Sequence, residues 1–172
     1  MFERTEKNYP MKKIPVILLV LLSLSVKGQL KGFSLGPFAE TGWPSGGFKE
    51  TNHQGIGGGV AADVRLGKIG ITGSMGYLRF EGKTTQKAGE IIHSNPVSGF
   101  PVRAGLKYRL APAFYAKLEG GVVRINGEQE SALLFSPGIG FRILGFELQG
   151  KYEVWKLQQP VGFWGIKGGF NF

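Results

Sequence analysis

The sequence predicts an all-β fold, an eight-stranded antiparallel up-and-down β-barrel, on three observations. Apolar and polar residues alternate from about residue 30 to the end of the chain, which is the period of a half-buried strand. The alternating segments are roughly ten to thirteen residues long, enough to cross a bilayer when tilted. The links between them are alternately long and short, as in a meander whose loops differ at its two ends.

Residues 1–28 have the pattern of a secretory signal peptide. Met11-Lys12-Lys13 forms a basic start, 14–26 is apolar apart from Ser and one Pro, and small residues precede a cleavage site before Gln29. The apolar run is shorter than the roughly 20 residues of a transmembrane helix. We therefore expect export and a mature single domain over 29–172.

The net charge of the chain is +9, and part of it lies in the predicted signal peptide. Residues 1–28 hold five of the 21 basic and two of the 12 acidic residues, so 16 basic and 10 acidic residues remain and the mature charge is +6. Residues 1–10 are either an over-called start or a long n-region. The chain has no Cys, which excludes a disulfide framework, a thiolate zinc site and a cysteine nucleophile.

The first four predicted strands are 32–43, a segment with Val60, Ala62, Val64 and Leu66 on its apolar face, 69–80, and a segment running from Phe100 to Tyr108. In the fourth strand Val102, Ala104 and Leu106 alternate with Arg103, Gly105 and Lys107. Long links at 44–54 and 82–97 alternate here with a tight one at Gly67-Lys68. Alternation of this kind predicts strands with one apolar and one polar face.

The last four predicted strands are 113–125, a segment from Leu133 to Phe141, a segment from Phe146 to Val154, and 161–172. Tight links at Ala111-Pro112 and Leu144-Gly145 alternate with medium ones at 126–132 and 156–160. Three prolines interrupt the pattern, namely Pro37, Pro101 and Pro137. Because Pro removes a ladder donor, we expect bulges or strand ends at these positions.

The aromatic residues indicate that the apolar face points outward. An eight-stranded barrel is only just wide enough for its own side chains, so thirteen aromatic residues on this face would not fit inside. They also sort into the two girdles that membrane interfaces select. The girdle at the long-loop end is Trp43, Tyr77, Phe100 and Trp164, and the girdle at the short-turn end is Phe33, Tyr108, Phe114, Phe146, Phe170 and Phe172. The predicted barrel is therefore transmembrane.

The polar face then fills the lumen of the barrel. Many glycines lie on this face, where a crowded interior needs small residues. Buried charges must be paired, so we predict a plugged, polar lumen rather than an open pore. The predicted lumen charge network consists of Glu40, Asp63, Glu119, Glu147 and Glu153 with Arg65, Arg103, Lys107, Arg109, Lys117, Arg142, Lys151 and Lys167.

The C-terminus carries a family resemblance. Trp164, Ile166, Phe170 and Phe172 place apolar residues at alternate positions up to a terminal aromatic, which resembles the signal by which outer-membrane barrels are recognised for assembly. The segments 36–49 and 73–80 look like the small outer-membrane β-barrel proteins of Bacteroidota, and the architecture is similar to the OmpA and OmpX class. The resemblance implies a monomer in the Gram-negative outer membrane, in contact with its lipids, lipopolysaccharide and the barrel-assembly machinery.

Two short motifs look catalytic but lack the required context. Gly32-Phe33-Ser34-Leu35-Gly36 matches a nucleophile elbow, which needs a strand–turn–helix with His and Asp alongside. The glycine-rich segment from Gly57 matches a degenerate dinucleotide fingerprint, but no helix follows it. We therefore predict a non-enzymatic protein with no catalytic residues, cofactor or metal, in a structural or surface-interaction role. No basic and aromatic strip faces solvent, so a nucleic-acid partner is not expected.

Two other function classes remain open on the sequence. The first is a lipid A or phospholipid acyl hydrolase or acyltransferase, because His53 and His93 fall in the long links, with Ser45, Ser94 and Glu90 nearby in sequence. Geometry is the first test of such a catalytic group. The second is a soluble lipocalin-like carrier, which would turn the apolar face inward around a ligand cavity.

Overall fold

A computed structural model describes residues 32–87, 90–126, 131–157 and 159–172. The predicted signal peptide over 1–28 lies outside the described residues. The elements of the described chain are β1 (Phe33–Ser45), α1 (Phe48–Thr51), β2 (Asn52–Leu66), β3 (Ile69–Gly82), β4 (Thr84–Lys87), β5 (Glu90–His93), β6 (Val97–Arg109), β7 (Phe114–Ile125), β8 (Ser131–Ile143), β9 (Phe146–Lys156) and β10 (Val161–Phe170). No helix among these elements is long and apolar enough to span a membrane.

Eight of the described strands close into one antiparallel barrel, in the order β1-β10-β9-β8-β7-β6-β3-β2. Each strand pairs with its neighbour in sequence, except that β3 pairs with β6 past the β4–β5 hairpin. Closure is made by β1 and β10, whose register runs from Phe38 opposite Gly169 to Ser45 opposite Gly162. The predicted eight-stranded antiparallel barrel is confirmed.

The two tightest turns lie at the same end of the barrel, as the link lengths predict. Gly67 has φ +72° in the turn between β2 and β3. Leu144 and Gly145 have φ +50° and +86° between β8 and β9, which is the pair of positive φ values that a type I′ hairpin requires. We call this end the short-turn end and the opposite one the long-loop end.

The long-loop end has more regular structure than the sequence indicated. Strand β1 runs to Ser45 and β2 begins at Asn52, so the predicted 44–54 link holds the short helix α1. The predicted 82–97 link holds the separate two-stranded sheet of β4 and β5. A β-branched signal for that hairpin is present in Thr84-Thr85 and Ile91-Ile92.

The expectation of bulges or strand ends at the three prolines is wrong. Strands β1, β6 and β8 run through Pro37, Pro101 and Pro137. The register is the same on both sides of each proline, although one ladder is interrupted at each of them. The β1–β10 ladder begins at Phe38, just after Pro37, and paired residues are skipped near Pro101 in the β3–β6 ladder and at Pro137 in the β8–β9 ladder. A strand residue donates its N–H to one neighbour only, so a single proline removes one bond without shifting the register.

The apolar face points outward over the whole barrel. Large hydrophobic residues at alternate positions are exposed on every barrel strand that flanks the short turns, for example Ile71, Leu106, Leu118 and Phe146. This exposed apolar surface is the opposite of what a soluble carrier needs, because it would face water.

Replacing Ile139 by Arg tests this outward assignment. Ile139 lies opposite Ala116 and Gly150, well inside the ladders, and 68% of its surface is exposed. We expect the free energy of unfolding in phospholipid vesicles to fall by about 2–4 kcal/mol, the cost of Arg on the lipid face near the midplane. The matched control is Leu144→Arg in a short turn, where the same charge lies outside the hydrocarbon and the change should be small. Equal losses in both variants would contradict a membrane-spanning barrel.

Candidate functional site

The centre of the lumen holds a cluster of four buried charged residues, Glu40, Arg103, Lys151 and Glu153, which we call the central cluster. Arg103 Nη2 is 3.1 Å from Glu40 Oε1 and 2.9 Å from Glu153 Oε1, and its Nε donates to Glu153 Oε2 at 2.9 Å. Lys151 Nζ is 2.6 Å from Glu40 Oε2 and 2.8 Å from Glu153 Oε2. The two cations and two carboxylates thus neutralise one another, which is what burial of charge requires.

Four more charged residues form a lower cluster nearer the short-turn end, Asp63, Lys107, Arg142 and Glu147. Lys107 Nζ bridges Asp63 Oδ2 at 2.6 Å and Glu147 Oε2 at 2.8 Å. Tyr115 Oη donates to Glu147 Oε1 at 2.7 Å. These contacts join β2, β6, β7 and β9 across the barrel, so the lumen is crosslinked by polar groups at this height.

The remaining predicted lumen charges differ in their surroundings. Lys117 Nζ is 3.3 Å from Glu119 Oε1, and both side chains are buried. Lys167 Nζ is buried without a hydrogen-bond partner in the described chain, and lies 3.8 Å from the centroid of the Phe38 ring, within cation–π range. Arg65 is exposed and Arg109 is half-buried, both at the short-turn end, and neither forms an ion pair with a described carboxylate.

The part of the lumen nearer the long-loop end is apolar, whereas the sequence pattern predicts a polar lumen along its whole length. Phe48, Phe80, Trp155 and Phe163 pack there with centroid distances of 5.0 Å for Phe48–Phe80, 5.0 Å for Phe80–Phe163 and 5.5 Å for Trp155–Phe163. We call these four residues the aromatic plug; Leu78, Val123, Ile125 and Leu134 are buried in the same cluster. The sequence does contain a signal for this arrangement, because Phe80, Trp155 and Phe163 occupy the same alternate positions of their strands as the polar lumen residues.

Two glycines make room for the aromatic plug. A Cβ on Gly55 would come 2.6 Å from the Phe80 ring, and one on Gly42 would come 2.9 Å from Phe163 and 3.0 Å from Phe80. The plug is also tied to the central cluster, because Trp155 Nε1 donates to Glu153 Oε1 at 2.7 Å. The lumen is therefore filled by aromatic rings toward the long-loop end and by ion pairs toward the short-turn end.

The structure places the predicted girdle residues on the outside of the barrel. Trp43 lies directly opposite Trp164, whose ring is 4.9 Å from that of Tyr152 at the long-loop end. At the short-turn end Phe170 lies between Phe146 and Phe172, with centroid distances of 4.8 and 5.1 Å. The other girdle residues are exposed, namely Phe33, Tyr77, Phe100, Tyr108 and Phe114.

The residues of the predicted C-terminal assembly signal lie on the closing strand β10 or just after it. Trp164, Ile166 and Phe172 are exposed, and Phe170 is half-buried between its aromatic neighbours. Phe172 N donates to Leu35 O at 3.0 Å, which extends the β1–β10 pairing to the end of the chain. These four residues therefore lie along the seam where β1 and β10 close the barrel.

The residues of the possible acyl-transfer site do not form a catalytic arrangement in the part of the chain whose side chains are described. His93 Nδ1 is 3.0 Å from Thr84 Oγ1, and His53 has no side-chain hydrogen bond there. Ser34 accepts a hydrogen bond from Arg142 Nη1 at 3.1 Å, and Ser45 Oγ lies 3.1 Å from Tyr152 Oη. The Glu90 side chain lies outside the described side chains. Nucleophilic catalysis needs a base within hydrogen-bond reach of the hydroxyl, and neither described serine contact includes a histidine.

The described residues contain no group of three or more His, Asp or Glu side chains that could hold a metal ion. Most charged side chains of the lumen instead form ion pairs with one another.

Comparison with known proteins gives similarity in structure rather than in sequence. No protein-family model and no curated protein matches the chain. Among solved structures, a de novo designed transmembrane β-barrel has a TM-score of 0.56 at 13% identity, covering 84% of this chain and 98% of that one.

Two natural outer-membrane proteins are also similar. The outer membrane protein Ail of Yersinia pestis, in a phospholipid bilayer nanodisc, has a TM-score of 0.57 at 16% identity, covering 83% of this chain and 100% of that one. The N-terminal β-barrel domain of Pseudomonas aeruginosa OprF has a TM-score of 0.54 at 11% identity, covering 81% and 97%. The chain therefore has the fold of the small eight-stranded outer-membrane β-barrels, the closed antiparallel barrel that crosses a bilayer.

Proposed function

We propose that this chain is a non-enzymatic outer-membrane protein of a Gram-negative cell, with a structural or surface-interaction role. The observation that carries the proposal is the filled lumen: ion pairs in the central cluster and rings in the aromatic plug occupy the interior of a barrel whose outside is apolar. In the described part of the chain these side chains occupy the interior at mid-height. Contact with other molecules is then left to the two ends and the outer wall.

The long-loop end would face the cell exterior under this proposal, because outer-membrane barrels have short periplasmic turns and longer outer loops. The predicted signal peptide would export the chain, and the aromatic residues on β10 would serve the assembly machinery. Membership of the Bacteroidota group stays a prediction that rests on the resemblance of segments 36–49 and 73–80.

Lipopolysaccharide is the surface partner that the outer wall supports best. Arg124 on β7 and Lys156 on β9 are exposed, point outward, and flank β8, where they lie opposite Ser131 and Leu133. Arg124 is also opposite Phe100 of the long-loop girdle. Cations placed level with an aromatic girdle lie in the interfacial region next to the lipid phosphates, which they attract.

A lipopolysaccharide binding experiment tests both the partner and the absence of catalysis. Fluorescent lipopolysaccharide would be titrated into the purified protein, comparing wild type with Arg124→Ala/Lys156→Ala. We expect the double variant to bind about thirtyfold more weakly, because each lost cation near the phosphates is worth about 1 kcal/mol and about 1.4 kcal/mol is a factor of ten. Lipid A recovered afterwards should have an unchanged mass spectrum.

The control is Lys49→Ala/Lys83→Ala, which removes the same charge from the loops of the long-loop end, off the barrel wall. If this control binds lipopolysaccharide with wild-type affinity, the weaker binding of Arg124→Ala/Lys156→Ala is due to the barrel wall. If both double variants lose affinity equally, net charge alone explains the loss and the proposed contact is contradicted. Loss or gain of an acyl chain on the recovered lipid A would overturn the non-enzymatic role and favour the acyl-transfer alternative.

A further inference from the structure

The short-turn end of the barrel contains a cavity that the proposed function does not use. Its volume is about 210 Å³, which is room for a group much larger than one water molecule, whose share of liquid volume is about 30 Å³. Residues of the turns, including Lys68 and Pro112, line its mouth, and Lys107 of the lower cluster lines it as well. The cavity therefore lies between the lower cluster and the outside.

The lining of this cavity is strongly cationic. Its charged residues are Arg65, Lys68, Lys107, Arg109 and Arg142, with Asp63 as the acid. Walls of one sign of charge around a low-dielectric recess focus the field and concentrate ions of the opposite sign. The cavity is therefore suited to an anion.

The internal ion pairs use only part of this positive charge. Asp63 Oδ2 takes Lys107 Nζ at 2.6 Å and lies 3.6 Å from Arg142 Nη1. Lys107 Nζ also forms an ion pair with Glu147, at 2.8 Å from its Oε2. Arg65 and Arg109 have no carboxylate of the described chain within ion-pair distance, so both guanidinium groups keep donors for a ligand.

We propose that this cavity binds a phosphate group through Arg65 and Arg109. Guanidinium forks match the oxygens of phosphate, which can accept from more than one arginine at a time. The two arginines come from β2 and β6, so a phosphate between them would bridge strands that are not neighbours in the barrel.

The rim of the cavity fits a phosphate that carries an apolar tail as well as a free one. Phe33, Phe114 and Phe172 line the cavity and are also exposed on the outward surface at this end. A lipid headgroup could thus enter with its chains along the barrel wall, and a soluble phosphate ester could enter from the aqueous side. The shared chemistry is the phosphate anion.

Calorimetric titration with glycerol phosphate tests the site, with the protein in a phosphate-free maltoside detergent. We expect saturable binding to the wild type and at least tenfold weaker binding to Arg65→Ala/Arg109→Ala. The matched control is Lys49→Ala/Lys83→Ala, which loses the same charge at the long-loop end, away from the cavity, and should bind as the wild type does. Neither arginine is in an ion pair with a described carboxylate, so a wild-type heat-induced gel shift is expected and shows that the variant is folded.

Two further probes sharpen the result. Acetate should bind at least tenfold more weakly than glycerol phosphate, because it offers two guanidinium groups one charge and two oxygens, whereas the phosphate ester offers up to two charges and three terminal oxygens. Dihexanoyl phosphatidic acid distinguishes the sources: tighter binding than glycerol phosphate identifies a lipid headgroup, and equal binding identifies a soluble phosphate. The proposal is overturned if the wild type shows no saturable phosphate binding, if acetate binds equally well, or if both double variants lose affinity equally.

Discussion

Replacing Glu153 by Ala is expected to lower the free energy of unfolding by about 3–5 kcal/mol, the usual cost of removing one partner from a buried ion pair. Glu153 is completely buried and accepts hydrogen bonds from Arg103, Lys151 and Trp155. The alanine variant leaves two cations in the lumen with Glu40 as their one remaining carboxylate in the central cluster, and the uncompensated charge cannot reach bulk water.

Urea unfolding of the protein in phosphocholine vesicles would measure this loss. Glu153→Gln refines it, because the amide keeps hydrogen-bonding capacity while removing the charge, so an intermediate loss is expected. The control is Glu81→Ala. Glu81 also forms an ion pair, with Arg79 at 2.8 Å, but both side chains are at least half exposed to solvent. Ion pairs between exposed side chains contribute little to stability. If Glu153→Ala and Glu81→Ala unfold at the same urea concentration, the central cluster does not stabilise the barrel.

Replacing Phe80 by Ala is expected to cost a similar amount, about 3–5 kcal/mol, as is usual for a buried phenylalanine. Phe80 is fully buried at the centre of the aromatic plug, in edge contact with Phe48, Trp155 and Phe163. The surrounding barrel wall is held by ladder hydrogen bonds and cannot collapse into the vacated space. The loss therefore includes a cavity as well as the transfer of the ring.

The control for Phe80 is Phe135→Ala on the outward face, where the same atoms are lost. Phe135 is about half exposed on the barrel wall, so lipid chains fill the space and no cavity remains. At about 24 cal/mol per Å³ and a cavity of about 80–100 Å³, the loss at Phe80 should exceed that at Phe135 by about 2 kcal/mol. A larger loss at Phe135 would mean that the plug is loosely packed.

Strand identity was predictable because it depends on local pattern. The side-chain period of a strand is two residues, so alternation over Phe146–Val154 predicts the strand and divides its residues between an apolar and a polar face without knowledge of its neighbours. The same parity placed Glu153 and Lys151 on the inner face. The short turns were predictable for a local reason too, since Gly67 and Gly145 supply the positive φ that tight hairpins need.

The prolines and the aromatic plug show where local pattern misled the prediction. Bulges or strand ends were expected at the prolines because Pro lacks the backbone N–H that donates to the neighbouring strand. The ladders around Pro101 keep their register, however, because the pairs on either side of it are formed. Aromatic residues were expected outside because an eight-stranded lumen is narrow, yet Phe80 fits beside Gly55 and Gly42. Whether a ring fits inside depends on which small residues the nearby strands place beside it, and here Gly55 lies directly opposite Phe80 and Gly42 opposite Gly55.

The sequence by itself determined the strands, their faces, the uneven ends of the meander and the presence of a charged interior, because alternation and turn chemistry act over a few residues. Only the tertiary structure decided which charges meet. Arg103 pairs with Glu40 and Glu153, which are 63 and 50 residues away in the chain, and Arg65 and Arg109 line one cavity from separate strands. Such partners depend on register and closure, which are properties of the whole barrel and leave no pattern in any single strand.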